Sequence, residues 1–180
     1  MINDAELRRF AGHFATGVTV VTTRDSAGTY HGLTMNAVSC VSLAPPTFLI
    51  CVDRNANSLQ AILESGIFAI NILASNQKEI SNAFASKNTN KFRELGYELG
   101  VLQVPLITDA LAFAEFRVTH TYPAADHVIV LGEAQSTGIG GSDPLLYYRG
   151  KYVYWSRLNE NDLKEKQTTS HRDLHKSETH

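Results

Sequence analysis

The chain has 180 residues, 43% of them hydrophobic and 19% charged, with a formal net charge of −2 when its seven histidines are neutral. One domain of this size buries roughly 70% of its unfolded surface and needs no staple; the two cysteines, Cys40 and Cys51, form neither a disulfide framework nor a CxxC pair. The charge balance argues against a non-specific nucleic-acid binder, the acidic start Met1–Glu6 is not a signal peptide, and no stretch approaches about eighteen apolar residues, so the expectation is a cytoplasmic protein with reduced thiols that neither enters a membrane nor binds nucleic acid.

In chain order, the first predicted element is a helix over residues 3–15. Asn3 caps it, Glu6 completes a capping-box pattern, and Leu7, Phe10, Ala11 and Phe14 form one apolar face, with Gly17 as its stop. The period then changes. Val18–Thr23 reads as a β-branched strand, Asp25–Gly28 as a turn, and 30–34 and 38–42 as short strands. Pro45-Pro46 interrupts pairing before a strand over Thr47–Val52, and Asp53–Asn57 is a turn. A helix over Ser58–Ser65 ends at Gly66, a strand follows over 67–73, and Ser75 caps a helix running to about Phe84. Residues 85–110 show little periodicity. Ala114, Phe116, Val118 and Tyr122 alternate with Glu115, Arg117, Thr119 and Thr121 as a half-exposed strand. Val128–Leu131 is a buried strand, 138–142 a loop, and Lys151–Trp155 a last strand.

Strands outnumber helices and do not alternate with them in βαβ order. The expected architecture is mostly β, a closed or nearly closed antiparallel barrel with short flanking helices. Residues 1–156 read as one domain. Residues 157–180 read as a polar C-terminal tail, with Leu158, Leu163 and Leu174 as its apolar anchors.

No GxGxxG or GxxxxGK[ST] fingerprint, GxSxG elbow or HExxH helix is present, and Gly138-Ile139-Gly140-Gly141 reads as a hairpin loop. The stretch Gly32–Pro46 is dense in small and hydroxyl-bearing residues between apolar strands. Such a run lets a flat ligand approach the backbone, with Thr34, Asn36 and Ser42 adding side-chain partners; it reads equally as a strand–loop–strand with Ser and Thr facing water. Asn57-Ser58 opens a helix near Arg54, either a phosphate-binding N-terminus or an ordinary cap. Phe84-Ala85-Ser86-Lys87 offers a ring and a cation, or a core Phe and a solvated Lys. His127 follows Asp126 at a turn, where it orients a cofactor or faces water. His13, His31 and His120 have no partner visible in sequence and read as structural.

From Phe10 to Tyr154 the chain resembles the flavin reductase-like family, which has an FMN-binding split-barrel fold of antiparallel, Greek-key-like topology. The resemblance rests on an ordered series: Phe14–Thr23, Gly32-Leu33-Thr34-Met35-Asn36-Ala37, Ser42–Pro46, Asn71–Gln77, Phe84-Ala85, Lys91-Phe92, Asp126-His127, Gly132-Glu133 and Pro144–Tyr148. It is most similar to the small reductase components of two-component aromatic monooxygenases. That resemblance implies a homodimeric NAD(P)H:flavin oxidoreductase that takes hydride from NADH or NADPH, reduces FMN or FAD, and releases reduced flavin to a separate monooxygenase component. By position, Thr34, Met35, Asn36 and Ala37 with Cys40, Val41 and Ser42 would line the isoalloxazine. Asp53, Asn57 and Ser58 would lie near the ribityl chain and phosphate, and Phe84, Ala85, Ser86 and Lys87 near the phosphate or adenine end. His127 would lie where the nicotinamide stacks. The family usually carries Gly where this chain has Ala125, and often Ser where it has Cys40. The alternatives are a flavoprotein that retains FMN and passes electrons to a protein or metal, and a non-catalytic flavin- or haem-binding module.

Overall fold

The computed structural model describes residues 2–86, 91–93 and 95–154. In chain order its elements are α1 (Asp4–Ala11), β1 (Thr16–Gly17), β2 (Thr19–Arg24), β3 (Tyr30–Met35), β4 (Val38–Leu43), β5 (Pro46–Asp53), α2 (Asn57–Ser65), β6 (Ile67–Ile72), α3 (Lys78–Ala85), β7 (Tyr97–Leu99), β8 (Pro105–Ile107), β9 (Ala112–Ala124), β10 (His127–Ile139), β11 (Leu145–Tyr148) and β12 (Lys151–Tyr154). The polar tail expected over 157–180 lies outside the described residues.

Seven strands form one antiparallel sheet in the order β3-β2-β6-β9-β10-β5-β4. Strands β3 and β4 therefore lie at opposite edges, although only Asn36 and Ala37 separate them in sequence. Flat, seven strands spaced about 4.8 Å apart would put those edges roughly 29 Å from each other. The link from Met35 to Val38 reaches about 11 Å at most. The sheet must curl until its edges approach. Its hydrogen-bond ladder nevertheless stays open between them, giving the split barrel rather than a closed one.

The curl creates an inner face. Val21, Ile50, Val52, Phe68, Ile70, Phe116 and Val130 are buried there, and Leu59 and Ile62 of α2 plug the same cluster. Phe116 stacks on Phe68 at 5.0 Å and meets Phe48 at 5.7 Å. Gly132 makes room for them, since a Cβ there would lie 2.7 Å from the Phe68 ring. On the outer face, Phe84 of α3, Ile107 of β8 and Leu145 of β11 pack with Val18, Val20 and Leu73.

A buried amide ties the two layers together. Asn71, fully buried on β6, donates from Nδ2 to the Val20 carbonyl (3.1 Å) and to Thr22 Oγ1 (3.2 Å). Its Oδ1 accepts from the Ile107 amide (2.8 Å), and Thr22 Oγ1 passes its own proton to the Pro105 carbonyl. Every member of this network is satisfied, as burial requires.

Several sequence expectations are corrected by the structure. The capping box of α1 forms as read, but the helix ends at Ala11 and Gly17 lies in β1. Pro46 opens β5 and pairs with Leu43, so the proline pair shapes the turn without breaking the strand. Ser75 does not cap α3; its N-cap is Gln77, whose side chain accepts from the Ala74 amide and donates to the Thr108 carbonyl. The weakly periodic region holds the β7–β8 hairpin, and a further strand, β11, pairs with β12. Strand β10 runs on through Gly138, where a Cβ would meet the Phe113 ring at 2.3 Å, so that glycine is a packing position within a strand and not a loop residue.

Alternation along β9 fails at two points. Glu115, expected on the exposed face, is buried because the turn at Val101-Leu102 covers it; its carboxylate accepts from both of those amides and from Ser136 Oγ. Tyr122, expected inward, is half exposed, because a bulge between Leu131 and Gly132 shifts the register and reverses the faces beyond it.

Asn71→Ala should remove three hydrogen bonds and strand the Ile107 amide, costing about 3 kcal/mol. For a domain of this size that corresponds to a fall in Tm of roughly 10 °C, and a thermal melt within 2–3 °C of wild type, about the change expected for 1 kcal/mol, would show that the network is dispensable.

Candidate functional site

The end of β5 gathers one group of the anticipated residues. Asp53 is the last residue of β5 and pairs in register with His127, the first of β10. The Ala37 carbonyl accepts from the Cys51 amide at 3.0 Å, which brings the β3–β4 crossing alongside the same strand end. Asp53 Oδ1 accepts from the Asn55 backbone and side chain (2.7 and 3.1 Å), shaping the turn into α2. That helix begins at Asn57 behind Ala56, with no side chain capping it. Neither Asn57, which is exposed, nor Ser58, which is buried, acts as a cap, so the first-turn amides keep the partial positive charge that attracts an anion.

His127 sits half exposed with Nδ1 2.8 Å from Asp126 Oδ1. A carboxylate accepts only, so this contact holds the proton on Nδ1 and leaves Nε2 for a ligand. The bond from His127 holds the Asp126 carboxyl below its ordinary value, with its own backbone and the charges of His127 and Arg54 acting in the same direction. The Arg54 amide also donates to the Asp126 carbonyl (3.0 Å) and pins the turn to the end of β5.

The crossing itself divides by role. Thr34 Oγ1 donates to the Ser81 carbonyl of α3 (2.7 Å), and Met35 packs on the inner core while its carbonyl accepts from Thr19 Oγ1. Asn36 and Ala37 are exposed, with Asn36 Nδ2 donating to Thr16 Oγ1 at 3.1 Å. Cys40, Val41 and Ser42 lie further along β4, where a bulge falls between Cys40 and Ser42. Four residues of strand place Ser42 roughly 13 Å from Val38. They are not part of the His127 cluster. They lie on the edge strand of the sheet, where alternate backbone groups of β4 have no ladder partner.

Of the two readings of the Phe84 segment, the core phenylalanine is the one the structure shows. The ring is 2% exposed and fills the outer core, so it offers no face for stacking. Ala85 and Ser86 are exposed, and Lys87 lies outside the described residues. A cation outside the sequence-predicted site, Lys91, stands beside Phe84. Lys91 Nζ donates to the carbonyls of Gly32 (3.2 Å) and Phe84 (2.9 Å) and sits 5.7 Å from the Phe84 ring centroid, with burial pushing its pKa down. The available signal was Lys91-Phe92, a basic residue joined to a core aromatic. Among the described residues no cluster of His, Cys, Asp and Glu could hold a metal ion, and no helix is long and apolar enough to cross a membrane.

Position 125 keeps its turn without glycine. Ala125 has φ +50° in the two-residue Ala125-Asp126 loop, the first central position of a hairpin, where glycine is favoured. A left-handed alanine costs about 1–2 kcal/mol, and glycine returns about 0.4–1 of that through its looser unfolded state. Ala125→Gly should therefore stabilise by about 0.5–1 kcal/mol, seen as a higher denaturation midpoint; a lower midpoint would show that the turn carries no strain.

The flavin reductase like domain matches residues 11–156. The flavin reductase (NADH) of Kitasatospora aureofaciens is 40% identical over 148 residues, covering 80% of this chain and 78% of that protein. The reductase component of the flavin-dependent trigonelline monooxygenase of Acinetobacter baylyi is 37% identical over 147 residues, which is 82% of this chain and 47% of that protein. The chain thus spans about half the length of some of the curated relatives it matches. Among solved structures, the NADH:FAD oxidoreductase SgcE6 of Streptomyces globisporus C-1027, in complex with NAD and FAD fragments, superposes with a TM-score of 0.82 at 33% identity, covering 86% of this chain and 93% of that one. By its fold, the order of its motifs and these matches, the chain belongs to the flavin reductase-like domain family.

Proposed function

We propose that this chain is an NAD(P)H:flavin oxidoreductase that supplies reduced FMN or FAD to a separate monooxygenase. The observation that carries the reading is the exposed Asn36–Ala37 crossing beside an unpaired sheet edge, with Asp53, the uncapped start of α2 and His127 at the same end. These groups fit a flavin nucleotide. A flat ring needs backbone donors and little side-chain bulk, and its phosphate needs a helix N-terminus.

When bound, the nicotinamide and flavin supply the hydride chemistry themselves. The protein's part is placement. Asn36, Ala37 and the edge backbone from Cys40 to Ser42 hold the isoalloxazine and stabilise negative charge that develops on it. Asp53 and the Asn57-Ser58 turn take the ribityl chain and phosphate, with Ser86 at the distal end. His127, fixed by Asp126, holds the nicotinamide over the ring, and close approach in register provides much of the rate.

The same reading includes a homodimer. Leu49, Cys51, Ile129, Leu131 and Tyr122 line the outer face of β5, β10 and β9, half buried or exposed; Leu7 and Phe10 of α1 and Phe14 just after it are exposed as well. A two-fold partner would cover such surfaces. The free thiols Cys40 and Cys51 suit the cytoplasm.

NADH or NADPH oxidation should depend on added FMN or FAD; no oxidation with any of the four combinations would sink the reading. Asn36→Ala should weaken flavin binding about tenfold, the worth of one or two hydrogen bonds. His127→Ala should slow turnover about tenfold or more with flavin affinity kept, and wild-type turnover would remove His127 from the site.

A further inference from the structure

We propose that Lys91 is a positioning residue for the flavin site: its ammonium ties the strand leading into the Asn36–Ala37 crossing to the end of α3, and so sets the gap between two segments that hold the flavin. The proposal rests on the flavin reductase reading. Gly32, one of its two carbonyl partners, lies two residues before Thr34 on edge strand β3; Phe84, the other, belongs to the last turn of α3. Carbonyls in a last helical turn lack intrahelical partners and carry partial negative charge, so a cation is their natural cap. One ammonium thus satisfies the helix end and the strand together, through charge-assisted bonds stronger than the neutral Thr34–Ser81 bond that joins the same pair of elements.

The surroundings leave little freedom. The Phe84 ring lies against the bare backbone of Gly32, where a Cβ would come within 2.6 Å of it. The ammonium stands over that ring at 5.7 Å, and Phe92 packs against it edge-on at 5.1 Å. Strand, ring and cation form one stack, and β3 cannot move relative to α3 without breaking it.

Energetics point to placement over stability. The stem of Lys91 is half buried, and among the described residues no carboxylate forms an ion pair with it. A partly desolvated charge held by neutral partners is a weak stabiliser, and an apolar side chain of that length would fill the same space at least as well. What the ammonium adds is a fixed distance between two carbonyls.

The test compares Lys91→Met, Lys91→Arg and Lys91→Gln with wild type by flavin titration, steady-state kinetics and thermal melts. Lys91→Met should raise the flavin Kd and KM about tenfold, while kcat at saturating flavin stays within about twofold, the split expected when binding geometry alone is lost. Lys91→Arg, which keeps a charged donor, should return Kd to within about threefold of wild type. If the Met variant does not fold, Lys91→Gln is read in its place, with an intermediate rise in Kd. A flavin Kd within about twofold of wild type in the Met or Gln variant, whatever happens to Tm, would overturn the proposal. A fall in kcat at unchanged KM would overturn it too. Wild-type protein that binds no flavin would instead bring down the reading beneath it.

Discussion

Two residues between opposite edges of a seven-stranded sheet govern this molecule. Asn36 and Ala37 span what a flat sheet would separate by several strand widths, so the sheet must curl, and the curl makes the inner core. The ladder does not close across the gap. Its edges keep unpaired backbone groups, and the crossing remains in solvent. Fold and candidate site therefore share one cause: the connection that forces the barrel also exposes the backbone that a flat cofactor would use.

Buried polar side chains hold the covering layers to this frame. Asn71 ties β8 to β2, Gln77 ties the start of α3 to Thr108, and the Glu115 carboxylate folds the turn at Val101-Leu102 onto β9. Each is buried with its hydrogen bonds made, so each restricts neighbouring backbone to one arrangement. Lys91 and Thr34 do the same between β3 and α3. The aromatic stack of Phe68 and Phe116 needs the missing side chain at Gly132, just as Phe84 needs it at Gly32.

The division between binding and framework is fine-grained. Within four consecutive residues Thr34 and Met35 secure the fold, whereas Asn36 and Ala37 face solvent. The histidine at the sheet end is held by the adjacent carboxylate and a turn that accepts a left-handed alanine. On the proposed reading no acid–base dyad is needed, because two bound nucleotides would carry the reaction and the protein would supply register.

Sequence alone determined what local chemistry and motif order control. The α1 capping box, the β-branched strands, the mostly β class and the family all follow from patterns within a few residues or from their order along the chain. The tertiary structure decided whatever depends on residues far apart. Glu115 reads as a solvated strand residue until a turn folds over it, Tyr122 changes face through a bulge, and Phe84 is a core ring only because Gly32 lies beneath it. The His127 end of the site forms because β5 and β10, more than seventy positions apart, pair in one register, and Lys91 matters because its ammonium meets two carbonyls 59 and 7 residues away. Burial, strand register and hydrogen-bond partners across such separations are set by packing of the whole chain, and no local pattern carries them.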